Sequence, residues 1–487
     1  MMILWMCAAA FAGTPLAYDQ ALGQALELNP QLRVSEAAMR QAEGALLAAQ
    51  GVFDPSFNGS LNYTTDVSQN SFFTGLDQNF KLARASMGVS SFLPTGTTVG
   101  LTWENRRQNT SYEGDAARLD ALRQQEILNE EFQYRSMLSA SLSQSVLQGF
   151  RMSYNLSAVR RAQRAQTRAD AELVRQRNEI LAATATAYWD LWYQRRRMEI
   201  AEKSLEVAKE ESRIVGAKVT QGLLAPVEGV RVAATVVQAE SVLIDARSMA
   251  EGANDLLATY LGEPPGLAYD LTTEPAPVSQ AGIEMDRVVA AVLENNPELQ
   301  KLALDVTDAQ FDARDAKHQL LPDLNVNGSY GLTGLETRDR NDPAGFGSVP
   351  AAASIFDGQA RTWSLGIAAD VPLGNRVDRG VHDQRMAAVT MQERTMEAKR
   401  LQLTQQARLA VGAVERAQAQ VVLQQANLEL AEETLAAERS LSEAGRTVQK
   451  DVLEAIKNAD DARVNLEKAR ADYLLAIVEL ERLKGTL

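Results

Sequence analysis

The sequence is written twice, and that limits what it can fold into. Residues 29–63 recur at 296–330 with a constant offset of 267: Asn29-Pro30 matches Asn296-Pro297, Leu32 matches Leu299, Pro55 matches Pro322 and Tyr63 matches Tyr330. A later block recurs with an offset of 223. There Gly222, Ala239, Leu243, Ala246, Arg247 and Gly262 match Gly445, Ala462, Leu466, Ala469, Arg470 and Gly485. A single internal duplication of this length takes precedence over any local motif. It predicts two similar halves, 18–262 and 283–487, joined by a Pro-rich linker at 263–282. Each half holds a helix, strands and a long helical hairpin. Such a scaffold is pseudo-symmetric, which argues against one asymmetric catalytic cleft.

Each half opens with a helical stretch that breaks at a Pro. In the first half, 18–50 reads as helix with a start signal at Asn29-Pro30, and Gly51, Asp54 and Pro55 end it. Period-two alternation follows. Phe57, Leu61, Tyr63 and Val67 take one face, and Asn58, Ser60, Asn62 and Thr64 the other. Leu324, Val326, Tyr330 and Leu332 against Asn325, Asn327 and Ser329 repeat the pattern. Two further strands alternate Leu138, Ala140, Leu142 and Val146 with serines 139, 141, 143 and 145, and Trp363, Leu365 and Ile367 with Thr362, Ser364 and Gly366. A face made of Ser fits a wet lumen better than a core. The first half carries an extra candidate hairpin, 85–93 and 98–104, around Pro94-Thr95-Gly96. Residues 105–135 and 333–360 read as long polar loops.

Long helices take up most of the remaining sequence. Residues 150–215 contain neither Gly nor Pro, and no Pro follows Pro372. The return helices repeat every seven residues. Val452, Ala459, Leu466, Tyr473, Leu480 and Leu487 form one column, and Ala455, Ala462, Ala469, Ala476 and Leu483 another. The first half copies this with Val236, Leu243, Ala250 and Leu257 beside Val232, Ala239, Ala246, Ala253 and Tyr260. A strict heptad imposes a left-handed supercoil, and columns of Ala allow close backbone approach. An ordinary helical-bundle core would show the same columns.

The formal net charge of −14 argues against nucleic acid as a partner. Residues 1–17 read as a secretory signal, cleaved after Ala12 or Ala17, although a basic start is missing. An apolar start to the mature chain is the alternative. Cys7, the one cysteine, lies in this stretch, which leaves the mature chain without disulfide chemistry. No later apolar run reaches the ~18 residues of a membrane helix. A bilayer crossing therefore requires a β-barrel. Four to six strands cannot close one, because single-chain barrels need about eight. The simplest solution is for several identical chains to pool their strands, and their helices with them.

Together these features resemble the TolC family of outer-membrane efflux channels (outer membrane factors). The resemblance is carried by the duplicated Asn-Pro openings, the breaks at Phe53-Asp54-Pro55 and Leu320-Leu321-Pro322, the tracts Ser143 to Gly149 and Val371-Pro372-Leu373-Gly374, and the hairpin tips at Gly222-Leu223-Leu224-Ala225 and Gly445 to Leu453. It implies a mostly α fold with a β-barrel contribution: a long antiparallel coiled-coil helical tunnel in the periplasm and a shared transmembrane barrel of four strands per chain. It also implies a homotrimer in the outer membrane that works with a periplasmic adaptor (membrane fusion) protein and an inner-membrane transporter. The function implied is a passive exit duct for efflux or type I secretion, with no enzyme activity, cofactor or metal. The hairpin at Pro94 departs from the four-strand pattern: either the barrel is larger, or the hairpin sits outside the closed ladder.

The resemblance places a gate constriction at Asp451 and Glu454, three residues apart and so on one helix face. Threefold symmetry would converge six carboxylates there, favouring cations. An alternative is that both acids simply favour the helix dipole, with Thr447 as the cap. Glu228 is a gate-network candidate. The family's Arg and Tyr lock positions fall on Thr447 and Ser442 here, with Arg446 one residue away. Gly222, Leu223, Gly445 and Arg446 mark the hairpin-tip adaptor contact, where Gly also serves to end a helix. Tyr188, Trp189, Trp192 and Tyr193 read as packing near the linker. Trp103 and Trp363 are candidates for an interfacial girdle. His318 and His382 stand apart from any metal spacing, and no nucleotide or nucleophile motif is present. A periplasmic coiled-coil adaptor or scaffold without a pore is the competing reading, which the alternating strands oppose.

Overall fold

The computed structural model describes residues 13–69, 75–128, 130–275, 283–341, 343–344, 350–357, 360–444 and 446–486. Most of the expected leader, with Cys7, and the tip residue Gly445 lie outside the described residues. The elements in order are β1 (Thr14–Leu16), α1 (Tyr18–Leu28), α2 (Pro30–Gln50), β2 (Ser56–Gln69), β3 (Leu76–Leu93), β4 (Thr97–Gly114), α3 (Ala116–Gln124), β5 (Phe132–Ser145), α4 (Met152–Asn155), α5 (Ser157–Thr220), α6 (Pro226–Leu261) and β6 (Tyr269–Leu271). Then follow α7 (Met285–Asn295), α8 (Pro297–Gln319), β7 (Asp323–Arg338), a 3-10 helix (Pro350–Asp357), β8 (Ala360–Asp370), α9 (Arg376–Glu443) and α10 (Gln449–Lys484).

The matched Asn-Pro pairs do the same work in both halves. Asn29 and Asn296 end α1 and α7 in extended backbone, as a residue before Pro must. Each then caps the next helix, whose first residue is the Pro. Asn29 Oδ1 accepts from the Gln31 N–H at 2.9 Å, and Asn296 Oδ1 from the Glu298 N–H at 3.0 Å.

The chain divides into two compact units, 1–41, 166–305 and 392–487 in one, and 42–165 and 306–391 in the other. Each draws on both duplicated halves. The first unit is helical with one two-stranded parallel sheet, β1–β6. Its core gathers Tyr188, Trp189, Leu191 and Trp192 of α5 against α1, α6 and β6. Tyr188 is fully buried. Its hydroxyl donates to the Leu16 carbonyl at 3.1 Å and accepts from the Thr273 N–H at 3.3 Å. The aromatic cluster is thus structural and packs beside the linker strand. The heptad reading holds on α10. Val452, Ala459, Leu466, Tyr473 and Leu480 are buried, as are Ala455, Ala462, Ala469 and Leu483. On α6, Val232, Ala246, Ala250, Ala253 and Leu257 are buried.

The second unit is built on one antiparallel sheet in the order β2-β3-β4-β5-β7-β8. The expected polar loops are strand in part. β4 runs on to Gly114 and β7 to Arg338, and α3 and the 3-10 helix occupy part of what remains. The β4 segment escapes a hydrophobicity reading because both its faces beyond Asn105 are polar, while its main chain pairs with β3 as far as Gly114 and with β5 as far as Gln108.

Candidate functional site

Unbroken registers carry two chemically distinct faces across all six strands. On one face, the row Phe57, Val89, Leu101, Ala140, Tyr330 and Trp363 crosses the whole sheet. On the other, Ser60, Ser86, Ser143, Asn327, Ser329 and Ser364 answer one another. Ser60 and Ser86 hydroxyls lie 2.8 Å apart, Ser143 donates to Asn327 at 2.7 Å, and Ser329 and Ser364 lie 2.7 Å apart. The apolar face is uncovered on the outermost strands. Phe57, Leu61, Tyr63, Val67, Trp363, Leu365 and Ile367 are each at least 60% exposed. An exposed apolar surface of this extent requires a partner or a lipid phase. Trp103 and Trp363 both lie on this face. Trp103 is half-buried, and its indole N–H donates to Ser136 at 2.9 Å.

Beyond the apolar band each face is covered by a connection. Leu76 and Tyr112 are on the Ser-bearing face, and Leu119 of α3 and Leu128 pack on them. On the opposite face the 3-10 helix lies over Gly334, where an added Cβ would stand 2.1 Å from the Ala351 carbonyl oxygen. Glu130, only 7% exposed, ties these connections together. It accepts from Arg123 at 2.9 and 3.0 Å, from Arg340 at 2.5 Å and from the Tyr112 N–H at 3.3 Å. Burial alone would raise its pKa. The Arg123 hydrogen bonds, the Tyr112 N–H and the two cations outweigh it and hold the carboxyl below its ordinary range.

The hairpin tips belong to the helical unit. α5 ends in a Schellman arrangement: Gly222, at φ +73°, donates to Val219 at 3.0 Å, and Leu223 donates to Lys218 at 2.9 Å. Leu223 projects from the turn, 70% exposed. Pro226 then starts α6. At the second tip the Arg446 N–H donates to Leu441 at 2.9 Å, and α10 begins at Gln449, which is buried and donates to Glu211 of α5. Asp451 and Glu454 are both exposed in the first two turns of α10. Thr447 does not cap this helix. Its hydroxyl lies between the Glu438 and Asp451 carboxylates, at 2.9 and 3.2 Å, while Val448 occupies the cap position. Glu228 pairs with Arg231 one turn along its own helix at 2.8 Å. Arg446 is exposed.

Glu454, Leu453 and Lys457 of α10 share a groove with Ala208 and Glu211 of α5 and Arg231, Ala234 and Gln238 of α6. Sequence reasoning missed this groove, and also Gln449–Glu211. Both depend on side chains that meet from segments more than 200 residues apart. Sequence reasoning also missed the exposed stripe on α6, where Val230, Val237 and Ile244 stand at 70%, 67% and 69% exposure, although their seven-residue spacing is a signal that could have found it.

The family model described as outer membrane efflux protein matches residues 288–486. Nodulation protein T of Rhizobium leguminosarum bv. trifolii is 23% identical over 306 residues, which is 61% of this chain. The chain thereby spans 60% of the length of that curated relative. Two solved structures share the fold over nearly the whole chain. The outer-membrane channel OprN superposes with a TM-score of 0.69 at 17% identity, covering 96% of this chain and 90% of that one. The outer membrane protein VceC of Vibrio cholerae superposes with a TM-score of 0.67 at 15% identity, covering 96% of each.

Proposed function

We propose that this chain, whose residues 288–486 match the outer membrane efflux protein family model, is the outer-membrane exit duct of a tripartite export machine. The two-faced sheet carries this reading. Its apolar face is bare on the outermost strands, its other face is lined with Ser, Thr and Asn, and among the described residues β2 and β8 each pair on one side only. Unpaired strand edges are not tolerated in lipid, and six strands are too few for closure. Identical copies therefore join edge to edge, and the resemblance to the TolC family implies three of them. The apolar face meets outer-membrane lipid, and the polar face lines a water-filled passage. The exposed stripe on α6 supplies a matching contact between copies in the helical section, which lies in the periplasm.

Transport through such a duct is passive. No catalytic step is assigned to it, and the driving force comes from an inner-membrane transporter reached through a periplasmic adaptor. In this reading Leu223 and the Gly222 and Gly445 turns face the adaptor. Arg446 flanks the second turn. Asp451 and Glu454 ring the passage at its periplasmic end, with Glu228 and Arg231 close to the first tip. The two exposed acids fit a ring that selects cations.

Planar-bilayer recording tests this. Purified protein should give small, cation-selective conductance and should fractionate with the outer membrane. Protein that fractionates with the periplasm and gives no conductance would favour the adaptor reading instead.

A further inference from the structure

The resemblance to the TolC family implies four strands from each chain, and the described residues of this chain pair six in one sheet. The two additional strands, β3 and β4, are not an appendage. They separate β2 from β5, pairing with β2 over fourteen consecutive residues and with β5 over twelve, with no bulge in either register. Within the apolar band they keep the faces of their neighbours. Val89, Met87, Leu101 and Trp103 join the apolar side, while Ser86, Ser90, Thr98 and Thr102 join the polar side. A hairpin lying outside a closed wall would have no reason to carry both faces in phase.

The hairpin turn is also fixed to the rest of the unit. Gly96 adopts φ +77°, and a Cβ there would stand 2.0 Å from the Gly149 carbonyl oxygen, so the turn packs directly on the chain leaving β5. Asn155 of α4 donates to the carbonyls of both Pro94 and Gly149, at 2.9 and 2.8 Å. Ser145 of β5 donates its N–H to Gly96 at 3.1 Å.

The free edges are suited to each other. In an antiparallel sheet of even strand number the outermost strands run in opposite directions, so β2 of one copy can pair antiparallel with β8 of the next. Their apolar faces also continue the same surface: Phe57, Leu61 and Tyr63 on β2, Trp363, Leu365 and Ile367 on β8.

We infer that β2 and β8 are the contact between copies, and that each chain supplies all six strands to a common wall. Resting on the trimeric reading above, this gives a wall of eighteen strands instead of the family's twelve. Barrel diameter grows roughly in proportion to strand number, so the outer passage is about 1.5 times as wide and about twice the cross-section of a twelve-stranded one.

Thiol cross-linking in outer-membrane vesicles tests the inference, in a Cys7→Ser background that removes the one native thiol. Three sets of paired substitutions use a short bifunctional thiol reagent. Ser60→Cys with Ser86→Cys and Thr102→Cys with Ser139→Cys report β2–β3 and β4–β5. Ser60→Cys with Ser141→Cys reports β2 directly beside β5. Asn58→Cys, Ser60→Cys and Asn62→Cys, each combined with Ser364→Cys, Gly366→Cys or Ala368→Cys, scan the edge between copies. The expected result is cross-linking in the first set, none in the second, and covalent dimers and trimers from at least one edge pair. Cross-linking of β2 to β5 with covalent trimers retained would overturn the six-strand wall and leave the trimeric channel standing. Absence of covalent multimers from every edge pair, with a monomeric mass in detergent, would remove the channel reading itself. Counting strands in an electron-microscopy map of the nanodisc-embedded assembly gives a second readout, with twelve refuting the inference.

Discussion

Replacing Val230, Val237 and Ile244 together by Ser removes the exposed heptad stripe of α6 without touching its buried seam. The stripe is separate from the sheet, so it tests assembly independently of any strand contact. Full burial of a Val or Ile side chain stabilises by about 1.5–3 kcal/mol. With roughly 70% of each residue still open to solvent in a single chain, association has about 1–2 kcal/mol per residue to gain, or about 3–6 kcal/mol for the three. At about 1.4 kcal/mol per tenfold, each contact between copies weakens by about 100- to 10,000-fold. Ser is a poorer helix former than Val by little or nothing, so the helix itself should persist. The assay is trimer survival on native gels across a temperature series, with circular dichroism confirming unchanged helix content. Trimers as heat-resistant as the parent's, at equal helix content, would show that the stripe faces solvent in the assembly and would refute the argument.

Asp451→Asn with Glu454→Gln should raise single-channel conductance and abolish block by trivalent cations; unchanged values would remove both acids from the gate. Gly96→Ala forces a Cβ into the Gly149 carbonyl at positive φ, a strain of about 1–3 kcal/mol, and should lower the yield of heat-modifiable barrel. Glu130→Gln should loosen the connections above the strands by about 1–3 kcal/mol, read as faster protease cleavage between residues 115 and 131. Because the Glu130 carboxyl is held below its ordinary range, its contribution is fully present above that range. It is lost as pH falls through the lowered folded value, so parent and variant should converge in strongly acidic buffer.

The parts of the fold legible in the sequence are those fixed by short-range chemistry. Asn-Pro pairs declare the helix starts because the Asn oxygen caps and the Pro ring forbids continuation. The α10 columns are visible because a seam buried every seventh residue tolerates little but Ala, Leu and Val. Period two reveals β2, β7 and β8, whose apolar face is a single stripe.

The extra hairpin is only half legible because its faces exchange character along their length. Beyond Ala83, Lys81, Asn79 and Asp77 continue the apolar side, and Leu82, Phe80 and Leu76 the polar side, so the alternation cancels. The cause is local: α3 buries Leu76 and Tyr112 on the face that carries serines lower down. Thr447 illustrates a different loss. A Thr two residues before a helix reads as a cap, but two nearby carboxylates compete for its single hydroxyl proton. At the tips, the acids are legible as a pair. Their surroundings are not, because the groove walls come from three helices distant in sequence.

The even strand count has an evolutionary consequence. Antiparallel closure of such a wall is kept only when strands are added in pairs, since a lone addition would leave two edges running the same way. A duplicated hairpin is the smallest insertion that satisfies this. It lengthens the perimeter of the wall while leaving the number of helices untouched. On the channel reading proposed above, the strand wall can thus diverge in width while the helical unit keeps the same parts.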